Sequence, residues 1–148
     1  MRLALDSNVL AYAEGVNGAA RKKTALDIIA GLSEQSTFLP VQVLGELFQV
    51  LVRKAGRSPE RARTAILSWR DAFPLIETSS SVMLAATDLA ADHHLSIWDA
   101  VILSASAAAG CRLLLSEDLH SGFTWSGVTV ANPFAREKHE LLAGLLEP

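Results

Sequence analysis

"RLALDSNVLAYA", residues 2–13, is an apolar run of strand character that ends on Asp6 and turns apolar again after Ser7 and Asn8. A carboxylate at the edge of a core costs several kcal/mol of desolvation unless a hydrogen bond or an opposite charge compensates it. Asp6 is therefore either a local cap or part of a site. Asp, Ser and Asn are preferred helix caps, and "NVLAYAEG" has the length of a short helix, so on its own the stretch reads as a strand, an acidic cap and a helix. Other segments of the chain decide between the two.

The strand-then-helix pattern recurs. Residues 2–6, 36–39, 74–77, 111–115 and 128–130 are short apolar runs bounded by turn formers, as buried parallel strands are. Helical patterns separate them at 19–32, 40–56, 58–73, 79–94 and 99–110. The segment 40–56 has Pro at its start and Gly at its end, and 58–73 opens on Ser-Pro. A terminal amphipathic helix is expected within 136–146. Strands alternating with helices predict an α/β domain whose parallel sheet is covered on both faces. Open parallel sheets bind ligands beyond the carboxyl ends of their strands, which is where Asp6 falls.

Length and composition fit one domain, 1–148, with one core. Half the residues are hydrophobic and 20% are charged, which excludes a disordered or fibrous chain. Cys111 is the only cysteine, so neither an internal disulfide nor a cysteine zinc cage can form, and it reads as a buried thiol. No signal peptide and no membrane span are expected, and the predicted location is cytoplasmic. The net charge of −3 does not advertise nucleic-acid binding. Of 13 basic residues, however, Arg21, Lys22, Lys23, Arg53, Lys54, Arg57, Arg61, Arg63 and Arg70 fall in two places, and Glu60 is the only acid from 53 to 70. That second segment is either a solvated helix face or a local positive surface.

Four acids fit their surroundings poorly. Glu46 lies on the stripe formed by Val43, Leu47, Val50 and Leu51, where an unpaired Glu is unusual. Asp99 opens a helix and shares a stripe with Ile102, Leu103 and Ser106, although the helix dipole alone favours an acid there. Asp118 follows Ser116 and Glu117 at the end of a strand, where a turn is the ordinary explanation. Topology nevertheless sends Asp6 and Asp118 to one sheet edge. If Glu46 and Asp99 face it too, four carboxylates converge, and two of them about 4 Å apart repel by roughly 4 kcal/mol at an effective dielectric of about 20. Such a cluster calls for a hard cation, Mg²⁺ or Mn²⁺, and not zinc. His93, His94, His120 and His139 offer no helical i, i+4 pair, and none is assigned to catalysis.

Four segments, "LALDSNVLAYA", "LPVQVLGELFQVLVRK", "LSIWDAVILSASAAAGCRLLLSEDL" and "VTVANPF", resemble the PIN-domain ribonucleases, and within them the VapC toxins of bacterial toxin-antitoxin pairs. The resemblance spans nearly the whole chain. It implies a three-layer α/β/α PIN-like fold with a five-stranded parallel sheet, Mg²⁺ or Mn²⁺ dependence, and endonucleolytic cutting of RNA. Its acidic quartet falls on Asp6, Glu46, Asp99 and Asp118 as catalytic and metal-binding residues, with Ser7, Asn8 and Ser116 in support. Glu117 is a further acid at the same turn. A small VapB-like antitoxin and a homodimer are the implied partners. Arg53, Lys54 and Arg57 are the candidate RNA contacts, since net negative protein and RNA otherwise repel. Trp69, Trp98 and Trp125 have the chemistry to stack on unpaired bases, with core packing the expected use of Trp98.

The alternatives are a housekeeping PIN-domain RNA-processing nuclease and a non-catalytic RNA- or protein-binding PIN module, the latter predicting a broken acid set. An aspartyl-nucleophile phosphatase would want Asp where Asn8 stands. A receiver domain would want a phosphoacceptor Asp at the third strand, where Glu77 stands, and a Lys near the last strand; no Lys lies between 55 and 137.

Overall fold

A computed structural model describes residues 1–147 of the chain. The order is β1 (Leu3–Leu5), α1 (Ser7–Ala13), α2 (Ala19–Ala30), β2 (Thr37–Pro40), α3 (Val41–Arg53), α4 (Pro59–Ala72), β3 (Leu75–Ile76), α5 (Ser80–His93), α6 (Ile97–Ala108), β4 (Leu113–Leu115), β5 (Thr124–Trp125), β6 (Val128–Ala131) and α7 (Glu140–Leu146).

The sheet runs β3-β2-β1-β4-β6-β5 and is parallel from β3 to β6. Every side chain of β1 and β4, the central pair, is buried, as their unbroken apolar runs require. Helices flank the sheet: α1 packs on α2 and α3, α3 on α4, and α5 on α6, as crossovers between parallel strands require. Strand order reverses between β1 and β4, and the crevice at such a switch point is where open α/β sheets bind ligands.

The sheet has six strands, not the expected five, and the extra one is antiparallel. β5 and β6 form a hairpin closed by Ser126 and Gly127, both at positive φ (49° and 86°), the signature of a two-residue turn matched to strand twist. A two-residue strand with one exposed position carries too little apolar pattern to read beforehand.

Local chemistry explains the helices. Val43, Leu47 and Leu51 put one face of α3 in the core. Ser58, Ser79 and Ser96 each cap a helix by accepting from the backbone N–H three residues on. In α6, Ala100 to Ser106 are all buried. The small residues on it let α5 pack closely.

Candidate active site

The register decides what meets at the switch point. Leu5 pairs with Leu115, so the next residues, Asp6 and Ser116, stand side by side on adjacent strands. The Asp6 N–H donates to the Leu115 carbonyl at 2.9 Å and the Ser116 N–H to that of Ala131 at 3.0 Å, extending the ladder one step.

Asp6 caps α1 and also reaches across to the turn after β4. As N-cap of α1, its Oδ1 accepts from the Ser7 N–H at 2.7 Å. Its Oδ2 accepts from the Ser116 hydroxyl at 2.6 Å and from Asn8 Nδ2 at 3.4 Å. Ser116 Oγ in turn accepts from Asn8 Nδ2 and from the backbone N–H groups of Asp118 and Leu119, at 3.2, 3.2 and 3.4 Å. Asn8 Oδ1 accepts from the Glu117 N–H at 3.1 Å. One buried hydroxyl thus locks the end of β1, the start of α1 and the turn after β4 into a single unit.

Burial pushes the Asp6 carboxyl up to about 7; hydrogen bonds from Ser116 and Ser7 oppose this, and the charges of Glu46 and Asp99 add to it. Glu46, half-buried on α3, is raised chiefly by burial and further by Asp99 and Asp118, with Ser7 and Gln42 pulling the other way. Asp99 sits in the first turn of α6, where its N–H donates to Ser96 Oγ at 3.1 Å. It too is raised by burial, against a hydrogen bond from Ser96 and with Asp118 adding repulsion. Asp118 is exposed at the mouth. The four acids are therefore close enough to feel one another, although they come from β1, α3, α6 and the turn after β4.

Ion pairs hold four of the other acids. Glu14, Asp27, Asp71 and Glu117 each hold a cation, from Arg57, Lys23, Arg70 and Arg21 respectively. Among the described residues, Asp6, Glu46, Asp99 and Asp118 hold none. The donor set is carboxylate and hydroxyl oxygen, which fits a hard divalent cation. No three His, Cys, Asp or Glu side chains among the described residues close into a ready-made cage.

Glu117 belongs to structure. Its carboxylate accepts from the Tyr12 hydroxyl at 2.7 Å and pairs with Arg21, whose guanidinium also lies over the rings of Tyr12 and Phe134. Three consecutive residues thus take three directions: Ser116 inward to Asp6, Glu117 to Arg21, Asp118 to the opening.

The basic candidates also divide. Arg57 donates to Glu14 Oε1 and to its carbonyl, both at 2.8 Å, while Trp69 Nε1 donates to the other carboxylate oxygen at 3.0 Å. Arg53 and Lys54 are exposed. Lys54 lines one hollow with Ser7, Asn8 and Asp118. Trp98 departs from expectation: it is 51% exposed, because the buried side of α6 starts at Ala100. Cys111 is buried as expected, its thiol pushed up to about 11 by burial. His93 meets Phe123 edge-on and His139 caps α7, so neither joins the acids. An apolar hollow between α3 and α4, lined by Leu44, Phe48 and Ile66 among others, contains none of the four acids. No helix among the described residues is long and apolar enough to cross a membrane.

Comparison with known proteins follows the same lines. No curated protein matches the sequence. Among solved structures, the chain is similar to VapC20 of Mycobacterium tuberculosis, described as a sarcin-ricin loop cleaving toxin, with a TM-score of 0.66 and 20% identity over 78% of this chain and 89% of that one. A toxin-antitoxin complex from Klebsiella pneumoniae gives 0.66 and 19% over 90% and 98%. FitAcB from Neisseria gonorrhoeae gives 0.65 and 14% over 89% and 98%. At these identities the likeness shows the fold. The PIN domain family profile matches residues 3–121, and the chain therefore belongs to the PIN-domain family.

Proposed function

We propose that the chain is a metal-dependent endoribonuclease acting as the toxin of a VapC-type toxin-antitoxin pair. The observation that carries this reading is the convergence of unpaired carboxylates at one partly buried edge of the sheet. Asp6, Glu46 and Asp99 come from three elements to this edge beside Asp118, have no ion-pair partner among the described residues, and are each shifted upward by burial and by the charge of a neighbouring acid of this group. Leaving carboxylates uncompensated costs stability, and sites that bind cations accept that cost.

Asp6, Asp99 and Asp118, with Glu46 binding directly or through water, would hold Mg²⁺ or Mn²⁺. A bound ion of this kind supplies an activated water and a positive charge for in-line displacement at a phosphodiester, giving 5′-phosphate and 3′-hydroxyl ends. The protein's own contribution is rigidity. Asp6 is held by Ser7 and Ser116, so the inner carboxylate does not swing when the metal arrives. Asp118 is presented by a turn whose N–H groups are tied to Ser116. Glu46 stands on α3 across from α6, opposite Asp99, where a base or water-orienting group is useful.

The toxin assignment draws support from the fold shared with toxin-antitoxin structures. It carries with it a small VapB-like antitoxin as partner, and a homodimer. An intact acid set speaks against a non-catalytic PIN module. The test is cleavage of single-stranded RNA with and without Mn²⁺ by the wild type and by Asp6→Asn. Metal-dependent cleavage that Asp6→Asn abolishes without unfolding supports the reading; undiminished cleavage by the variant removes it. Growth arrest on expression, relieved by a partner, supports the toxin role, and normal growth with active enzyme favours a housekeeping nuclease.

A further inference from the structure

From the acids, a trough leads away between α1 and the end of α3. Its first part, about 130 Å³, is lined by Ser7, Asn8, Asn17, Lys54 and Asp118 among others. Its second part, about 530 Å³, shares Val16, Asn17 and Lys54 with the first and continues to Glu14 and Arg57. Lys54 is the C-cap of α3 and stands where the two parts join.

The trough is built in advance. Its wall is the turn 14–18, in which Gly15, Asn17 and Gly18 take φ of 101°, 65° and 102°, conformations open to Gly and tolerated by Asn. Glu14, at the start of the turn, is saturated by Arg57 and Trp69. That saturation does two things: it pins the turn to the α3–α4 connection and to α4, and it removes both the Glu14 charge and the Arg57 charge from the field a ligand meets. Among the described residues Lys54 has no carboxylate partner. Of the cations lining the trough, it alone is free to meet an anion.

We propose that this trough receives the RNA backbone next to the scissile phosphate, with Lys54 as the phosphate contact and Arg57 as the tether that shapes the wall. The inference rests on the nuclease reading above and adds to it the direction in which the strand leaves the acids. A flexible ammonium on an exposed side chain suits a phosphate met as a point charge, and Asn17 adds a neutral hydrogen-bonding group beside it. One polynucleotide thereby meets metal at the acids and a lysine further along, which offsets the repulsion of a chain with net charge −3.

The test is binding of a fluorescein-labelled, mixed-sequence single-stranded RNA 12-mer to the full chain carrying Asp6→Asn, followed by anisotropy across a KCl series at fixed Mg²⁺. Adding Lys54→Gln is expected to weaken binding and to flatten the log-log salt slope by about 0.7, the value for one phosphate contact on a single strand. Lys54→Arg is expected to restore most of the slope. Arg112→Gln, at the opposite end of β4, is expected to leave it unchanged. Equal slopes for Lys54→Gln and its parent overturn the trough while leaving the nuclease reading intact, as does an equal loss with Arg112→Gln. If Lys54→Gln spares RNA but abolishes binding of a poly-glutamate peptide, the trough belongs to an acidic protein segment instead. If the wild type does not cleave RNA in Mn²⁺, the nuclease reading and the trough fall together.

Discussion

Asp6→Asn should abolish metal-dependent cleavage and, in the metal-free protein, raise stability at neutral pH and above. The native fold holds the Asp6 proton up to about pH 7, whereas the unfolded chain releases it near its ordinary value of 3.8. Between those values folding takes up a proton, so stability falls as pH rises, and above pH 7 the ionised group costs on the order of 4 kcal/mol. Glu46 and Asp99 are shifted in the same direction and steepen the same decline. Asn carries no charge and removes the Asp6 share of that cost. It also puts an N–H₂ group where a carboxylate oxygen accepted from Ser116 or Asn8, a mismatch worth about 1–2 kcal/mol. The net gain at pH 8 is therefore about 2–3 kcal/mol, or roughly 5–10 °C in Tm for a chain of this size. Near pH 4 the charge contribution vanishes, only the mismatch remains, and the variant becomes the less stable of the two. Urea unfolding of both proteins in EDTA from pH 4 to pH 8 measures this directly. A variant less stable than wild type at pH 8, or a stability difference that does not change sign, refutes the assignment of Asp6 as a buried, uncompensated charge.

Adding Mn²⁺ at about 100 times its dissociation constant should stabilise the wild type by about 2.7 kcal/mol, and Asp99→Asn far less, in thermal unfolding. Ser116→Ala removes a hydrogen bond to Asp6 and leaves the Asp118 and Leu119 N–H groups without their acceptor. It should cost about 1–3 kcal/mol in urea unfolding and raise the Mn²⁺ concentration needed for RNA cleavage. Trp98→Ala should cost less than about 1 kcal/mol and remove most of the emission quenched by acrylamide. Trp69→Ala, which removes one of the two partners of the Glu14 carboxylate and unstacks Phe73, should cost more.

Much of the candidate site is legible in the sequence. An acid after an apolar strand, a Glu on an apolar stripe, and acids at a helix start and a strand end are local patterns, and sheet topology alone sends their segments to one edge. Asp6 shows the limit of reading such patterns as alternatives. Capping α1 does not use up the group, because one carboxylate has two oxygens and uses Oδ1 for the Ser7 N–H and Oδ2 for Ser116. The antiparallel β5 escaped notice because two residues at the sheet edge have no burial pattern to display. Tryptophan is highly buried on average, which predicts core packing for Trp98, yet its place at the start of α6 leaves it exposed.

By itself the sequence determined the α/β class and pointed to four acids as candidates for one site, since these depend on residue type and on spacing within single elements. Only the tertiary structure decided which charges remain available. Glu14 meets Arg57 across 43 positions and Arg21 meets Glu117 across 96, and no local pattern encodes either pairing. Those pairings turn Glu117 and Arg57 into structural fasteners, leave Lys54 facing the trough, and leave Asp6, Glu46, Asp99 and Asp118 as uncompensated charges. Charge compensation is a contact property of the folded chain, so the same residue types become site or scaffold according to what the fold brings within reach.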